Sequence, residues 1–404
     1  MGMPPKITSG RVLWLSAAKG VVIGAALVAT FLVGFFVRDG LVPVVPGPVL
    51  ADPPERYPLL AEVQRLLETH YLRELPGQDE LEYAAIRGMI GALNDPYTFF
   101  VDPPVAQSES DVLAGQYGGI GVQVQHAADG HFVLYPFPDG PAAQAGIEDG
   151  DILLAIDDWA VEPTARIDVV DQALRGEVGN DNGVALRVMK RDSGEERRYE
   201  IAFAVIEVPS VVWRRLVEDP RIGYVQILRF TSRTPEELRV ALRELNALEV
   251  AAWILDVRNN AGGLLQEAIQ VADEFLDEGV IVYEQTRENE RTYNAEAGGA
   301  ATELPLAILV NRGTASAAEL VAGALQDNER GVVIGQSTYG KGSVQLIFPL
   351  SDGSSVHITS AEWFTPNRTQ LERNGLAPDI PMIPAEDGRD VELGEAIYRL
   401  RQQL

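Results

Sequence analysis

The chain has 404 residues, of which 46% are hydrophobic and 23% are charged, and its formal net charge is −26. This length suits roughly two or three folded domains with buried cores. The negative charge argues against nucleic acid as a partner, because the phosphates would repel it. The lack of cysteine excludes disulfides and thiolate metal sites, and with 4 histidines the sequence predicts no metal site and no cofactor.

The N-terminal segment has the pattern of a membrane anchor. Lys6, Arg11 and Lys19 precede an uncharged apolar run at 21–37, which at 17 residues is at the short end for a membrane span. A cleavable signal peptide is the alternative, but no small-residue cleavage site directly follows the run. We therefore expect an uncleaved single-pass anchor in the cell membrane, followed by a stiff proline-rich spacer at 40–54. Because the positive charge precedes the span, the rest of the chain is expected on the extracytoplasmic side.

Two helical patterns follow at 56–94, separated by a Leu-Pro-Gly sequence at 75–77. Each carries an apolar stripe at helical spacing, and a further short helix is predicted at 390–403. Such stripes need a covering surface, either another domain or a second copy of the chain. We therefore expect a homo-oligomer.

Residues 115–205 form a glycine-punctuated module with alternating apolar residues, which predicts a β-rich domain. It contains GGIGV at 118–122 and GPAAQAGIEDGDILLAI at 140–156. These sequences resemble a PDZ domain of the bacterial protease type. Such domains bind a peptide as an added strand, while loop amides hold its terminal carboxylate.

The PDZ resemblance also implies particular peptide-binding residues. By that resemblance the carboxylate-binding loop consists of Gly119, Ile120, Gly121 and Val122. Arg175 stands where the family carries an arginine that couples peptide binding to the protease. The alternative for Arg175 is an ordinary surface arginine.

A second large domain begins with a strand pattern at 222–230. Thr234 and Glu237 then match a capping box, with Pro235 at the first helical position, and the predicted helix runs to about Leu248.

Two strand–turn–helix units come next. The first has a buried strand at 251–257, a glycine-rich turn, and an amphipathic helix at 264–276. The second has an apolar strand at 304–310 and a helix that begins beside Ser316. If these strands are parallel neighbours, both turns lie at the carboxyl edge of the sheet, where α/β proteins bind ligands.

Ser316 is a candidate nucleophile because helix-entrance amides and the helix dipole stabilise a nearby oxyanion. The plain alternative is a serine N-cap. Lys341 lies 25 residues downstream in an otherwise uncharged segment, and Gln345 lies 4 residues further on. A buried lysine with a lowered pKa can act as a general base. A hydrolase that uses His357 as its base remains an alternative.

The segment NRGTASAAELVAGALQDNERGVVIGQSTYGKGSVQ at 311–345 resembles the catalytic segment of the C-terminal processing peptidases, the tail-specific serine proteases. The resemblance implies a catalytic triad of Ser316, Lys341 and Gln345. The turn DVRNNAGG at 256–263 resembles another phrase of this family, which implies an oxyanion hole made by the amides of Gly262 and Ala317. Glu319 is expected to form structural hydrogen bonds.

The predicted fold is an α/β multidomain chain with an N-terminal membrane anchor and a helical segment, in which a β-rich PDZ domain is inserted before an α/β serine-peptidase core. The predicted boundaries are 1–54 for the tail, anchor and spacer, 55–104 for the helical segment, 105–205 for the PDZ domain, 206–384 for the peptidase core and 385–404 for the C-terminal helix.

The predicted function is a serine endopeptidase that recognises C-terminal tails of exported proteins through its PDZ domain and cleaves those proteins. Its expected partners are unfolded or tail-bearing protein substrates, the membrane, and an activator or adaptor protein if one is required. The alternative is a catalytically silent PDZ scaffold that binds tails on the same fold.

Overall fold

The structure is a computed structural model that describes residues 57–127, 130–179, 182–385 and 388–404. The predicted anchor at 21–37 and the spacer at 40–54 lie outside these residues. Within the described ranges, no helix is both long enough and apolar enough to cross a membrane.

The chain divides into two compact units, Met1–Gln78 and Asp79–Leu404. In the first unit the described residues form helix α1 (Pro58–His70), which has proline in its first turn. Its apolar stripe is exposed, with 72% of Leu59 and 52% of Leu66 accessible to solvent. The predicted helix is confirmed, and the partner of its stripe remains a prediction.

The other helices of the described residues are α2 (Gln78–Gly91), α3 (Pro103–Ala114), α4 (Pro141–Ala145), α5 (Ile167–Ala173), α6 (Thr234–Ala247), α7 (Leu265–Asp273), α8 (Ala317–Asp327) and α9 (Val391–Arg401).

The strands in the first half of the second unit are β1 (Phe99–Val101), β2 (Gln116–Gly119), β3 (Val122–His126), β4 (Phe132–Pro136), β5 (Asp151–Ile156), β6 (Trp159–Ala160), β7 (Gly183–Met189), β8 (Glu196–Ala202) and β9 (Ala204–Glu207). The later strands are β10 (Val211–Arg215), β11 (Ile222–Ile227), β12 (Ala252–Asp256), β13 (Val280–Thr286), β14 (Glu290–Asn294), β15 (Leu306–Val310), β16 (Val332–Gly335), β17 (Ser343–Pro349), β18 (Ser355–Phe364) and β19 (Ile380–Pro381).

The β-rich module contains the antiparallel sheet β3-β4-β5-β7-β8, with β6 paired to β5, and a separate ribbon of β2 and β9. Buried residues alternate along β3, β4 and β7 and belong to the core of the module, in which Phe132, Leu134, Leu186 and Val188 are almost completely buried. The prediction of a β-rich module is confirmed.

The central sheet of the later part has the order β10-β11-β12-β15-β16-β19, and β11, β12, β15, β16 and β19 are parallel. Every residue of β12 and β15 is buried. One face of the sheet packs on α6, α7 and α8, and the other face packs on α9. This confirms the predicted parallel neighbours, so the turns after β12 and β15 lie at the same edge of the sheet.

A second antiparallel sheet has the order β1-β18-β13-β14, and β17 pairs with β18. The long strand β18 continues to Phe364 and pairs there with β13. The pairing of β17 along β18 places the segment after Lys341 in regular structure.

The capping box predicted at Thr234 is wrong. The N-cap of α6 is Arg233, and the Thr234 hydroxyl accepts from the Thr231 amide at 2.8 Å. The Glu237 carboxylate accepts from the amides of Ser210 (2.7 Å) and Val211 (3.1 Å). Both side chains therefore accept hydrogen bonds from neighbouring loops instead of capping the first turn of their own helix.

Candidate active site

Ser316 is the N-cap of α8, in the turn after the buried strand β15. Its backbone has φ 54° and ψ −121°, in the left-handed half of φ space that a residue with a side chain seldom adopts. The adjacent Ala315 amide donates to the Asn260 carbonyl at 2.9 Å, which ties this turn to the one after β12. Strained positions of this kind persist only where the surrounding structure holds them.

Glu319 is the hydrogen-bonding centre of the site and is completely buried. Its Oε2 accepts from the amides of Ser316 (2.8 Å) and Lys341 (2.9 Å). Its Oε1 accepts from the Gly340 amide (2.7 Å) and from the Thr338 hydroxyl. Burial raises the pKa of Glu319, and these donors oppose that shift. The carboxylate thus joins the entrance of α8 to the Lys341 loop, which confirms the predicted structural role.

Lys341 and Gln345 are in direct contact. The ammonium Nζ of Lys341 donates to Gln345 Oε1 at 2.7 Å and lies 5.4 Å from the centroid of the Tyr97 ring. Gln345 Nε2 donates to the Tyr97 carbonyl at 2.9 Å. A carbonyl can only accept, so this bond fixes the amide with its oxygen toward the lysine.

Burial lowers the pKa of Lys341, and the negative charge of Glu372 acts in the opposite direction. A neutral amide orients the lysine without favouring its charged form as a carboxylate would. The setting therefore favours a lysine that can release its proton.

A cavity of about 310 Å³ opens at this edge of the sheet. Ser316, Ala317, Lys341 and Gln345 all line it, together with apolar side chains that include Leu265, Leu320, Val344, Ile347 and Trp363. The structure thus brings the predicted serine, lysine and glutamine to one cavity.

Gly262 lies directly against Ser316. A Cβ added to Gly262 would lie 2.8 Å from the Ser316 Cβ and 3.1 Å from the Ala317 nitrogen. The residue has φ 99°, which also favours glycine. Its amide donates to Asn260 Oδ1 at 2.8 Å, so it would have to leave or share that acceptor to hold an oxyanion. Its predicted role in the oxyanion hole stays a prediction.

His357 lines the same cavity from β18. Its ring stacks on Phe99 with 4.5 Å between centroids, and its Nε2 lies 3.1 Å from Glu109 Oε2. Glu109 comes from α3, and sequence reasoning missed it because no motif surrounds it. The contacts of His357 are thus to Phe99 and Glu109, and the base role considered for it stays an alternative.

A second cavity, of about 790 Å³, is lined by the β-rich module and by residues next to the parallel sheet. Val122, one of the predicted peptide-binding residues, lines it. Among the other predicted loop residues, Gly119 forms a backbone bridge with Arg175, and Gly121 has a φ of 69°. Ile120 is completely buried, and its amide donates to the Leu174 carbonyl.

Arg175 also lines this second cavity. Its guanidinium lies 4.2 Å above the Tyr117 ring and donates to Asp171 at 2.6 Å. Only 19% of the side chain is exposed, so Arg175 is not an ordinary surface arginine. Its predicted coupling role stays a prediction.

Comparison with known proteins identifies the class. A family model described as peptidase family S41 matches residues 221–382, and a PDZ-domain model matches residues 132–181. The chain is 33% identical over 382 residues to the carboxy-terminal-processing protease of Bartonella bacilliformis, covering 91% of this chain and 86% of that protein. It is 32% identical to the carboxyl-terminal-processing protease of Synechocystis sp., covering 78% of this chain and 74% of that one.

A solved structure described as a putative S41 protease from Bacteroides fragilis has a similar fold, with a TM-score of 0.50 at 14% identity. It covers 85% of this chain and 97% of that chain. These findings define a serine-type peptidase with a PDZ domain. The chain belongs to the carboxy-terminal-processing proteases of peptidase family S41, which confirms the resemblance found in the sequence.

Proposed function

We propose that this protein is a membrane-anchored endopeptidase that binds the C-terminal tails of exported proteins and cleaves those proteins with a Ser316-Lys341-Gln345 triad. One observation carries the proposal. A half-buried lysine, held by a neutral amide at 2.7 Å, shares a cavity with a serine at a helix entrance.

The proposed reaction begins with neutral Lys341, which takes the proton of the Ser316 hydroxyl as Oγ attacks the peptide carbonyl carbon. The resulting ammonium gives that proton to the leaving amine when the peptide bond breaks. A water molecule, deprotonated by Lys341, then attacks the ester carbonyl carbon. As the ester C–O bond breaks, Lys341 returns the proton to Ser316 Oγ and a new carboxyl terminus is released. Gln345 accepts a hydrogen bond from the lysine and orients it through both halves of the reaction.

The oxyanion would form beside the first turn of α8. The Ala317 amide belongs to that turn, where helix amides have no internal partner and the helix dipole favours negative charge. The close approach of Gly262 to Ser316 and Ala317 supports it as the second donor. Release of the Gly262 amide from Asn260 would accompany substrate binding.

Substrate selection is assigned to the PDZ domain. A C-terminal tail would add as a strand beside β3, with its carboxylate held by the loop from Gly119 to Val122. Arg175 would sense the occupied groove. An anchor at 21–37 would place this reaction on the extracytoplasmic side of the cell membrane. The exposed apolar stripe of α1 supports a homo-oligomer.

The test uses the full chain in detergent and an unstructured protein with an apolar C-terminal tail. We expect cleavage by the wild type and by His357→Ala, and none by Ser316→Ala or Lys341→Ala. Amidation of the substrate's C-terminus should weaken cleavage, because the PDZ loop loses its carboxylate. Binding of the tail without any cleavage would contradict the proposal in favour of the scaffold alternative.

A further inference from the structure

Arg229 differs from the other basic side chains of the two cavities. Arg175, Arg229 and Lys341 are the lysines and arginines that line them. Arg175 is paired with Asp171, and Lys341 is held by Gln345. Arg229 is exposed, and it makes no hydrogen bond or ion pair through its side chain within the described residues. It also lines both cavities.

The backbone of Arg229 is firmly held although its side chain is free. Its carbonyl accepts from the Thr234 hydroxyl at 3.0 Å. The next residue, Phe230, is completely buried, and its amide donates to the Gly262 carbonyl at 3.1 Å. The Phe230 carbonyl accepts from the Leu264 amide at 2.9 Å. The backbone of Arg229 is therefore held in place beside the glycine turn that contacts Ser316.

Within the described residues, the acids that line the two cavities form no ion pair with Arg229. Glu109 lines the first cavity but faces His357 at 3.1 Å. Asp111 lines the second cavity and accepts from Gln107 at 2.8 Å. A guanidinium binds a carboxylate through two parallel hydrogen bonds, so an unpaired arginine at this position is suited to an acidic ligand.

We propose that Arg229 is a specificity-determining residue that binds an aspartate or glutamate side chain of the substrate. The acidic residue would lie between the tail bound in the PDZ groove and the bond that is cleaved, because Arg229 borders both cavities. In a chain with a net charge of −26, a local cation offsets the repulsion that an acidic substrate segment would meet. This inference rests on the proposed function.

The test is a set of peptides with one tail and one cleavage site, in which each intervening position carries Glu, Gln or Lys in turn. With the full chain in detergent, we expect kcat/KM to favour Glu over Gln by about three- to tenfold at one position or two adjacent ones. Arg229→Gln should abolish this preference, and Arg229→Glu should favour Lys. The preference should shrink in high salt.

Arg215→Gln is the matched control. Arg215 is exposed, and in the β10–β11 pairing it lies opposite Gly223, near the amino end of β11, whereas Arg229 follows the carboxyl end of that strand. This variant should therefore keep the preference for Glu. Equal cleavage of the Glu and Gln peptides by the wild type would overturn the inference. So would a preference for Glu that persists in Arg229→Gln.

Measurements of peptide binding test the role of Arg229 independently of the proposed proteolytic function. If no peptide is cleaved, the proposed function fails, but the affinities of Ser316→Ala for the same peptides still report on Arg229. Fluorescence anisotropy should show tighter binding of the Glu peptide than of the Gln peptide at the responsive position. Equal affinities at every position would overturn the role of Arg229.

Discussion

Replacement of Glu319 by glutamine tests how the active site is held together. The carboxylate has two oxygens, and each accepts two hydrogen bonds, from Ser316 and Lys341 on one side and from Gly340 and Thr338 on the other. A glutamine side chain keeps one oxygen and replaces the other with an NH₂ group that cannot accept. Whichever way the amide turns, two buried donors lose their acceptor.

The size of the effect follows from those two donors. A buried donor without a partner costs roughly 1–3 kcal/mol, so we expect Glu319→Gln to lower the free energy of unfolding by about 2–6 kcal/mol. That is a large share of the roughly 5–15 kcal/mol that stabilises a typical folded protein. Because Ser316 and Lys341 are both anchored to this carboxylate, kcat should also fall by about 10- to 100-fold.

Chemical denaturation and steady-state cleavage of one peptide would measure both effects. Glu237→Gln is the matched control, because Glu237 is also a helix carboxylate that accepts amide hydrogen bonds but lies outside the catalytic cavity. It should lower stability and leave kcat near the wild-type value under folding conditions. A Glu319→Gln protein with unchanged stability and unchanged kcat would refute the reasoning.

Three further changes probe the site. Gln345→Glu places a negative charge against Nζ of Lys341, which favours the ammonium, so the pH profile of kcat/KM should shift to higher pH. An unshifted profile would mean that residue 345 does not influence the protonation of Lys341. Gly262→Ala puts a methyl group 2.8 Å from the Ser316 Cβ, at a residue with a φ of 99°. We expect kcat to fall by at least about 100-fold, and burst kinetics would measure the acylation step. Acylation at the wild-type rate would contradict the close approach of Gly262 to Ser316. His357→Ala should keep substantial kcat, since its Nε2 faces Glu109, and loss of all turnover in that variant would make the histidine the base.

The main features of the site could be predicted because they follow from regular structure. The apolar runs that became β12 and β15 are buried on both faces, as adjacent strands of a parallel sheet require. That arrangement places the two turns at one edge, and the sequence resemblance pointed to Ser316, Lys341 and Gln345. The strand β17 then begins directly after the lysine loop.

Other features depend on contacts between distant parts of the chain. Glu109 meets His357 from a helix that no motif marks, and Arg229 is exposed beside both cavities because the strand β11 ends at Ile227. The sequence around Thr234 favoured a capping box, but the loop at 208–211 competes for the same side chains. Likewise, the bond from the Gly262 amide to Asn260 depends on the turn geometry, which residue types alone do not determine.

The most direct test of the proposed mechanism is the pH dependence of kcat/KM for one peptide, measured for the wild type and for Lys341→Ala. Burial lowers the pKa of Lys341, and in the proposed mechanism its neutral amine is the base, so activity should be lost as the pH falls through that lowered pKa. The wild type should therefore lose activity at a lower pH than that at which an ordinary lysine titrates, and Lys341→Ala should be inactive throughout. Turnover by Lys341→Ala with the wild-type profile would contradict the assignment of Lys341 as the general base.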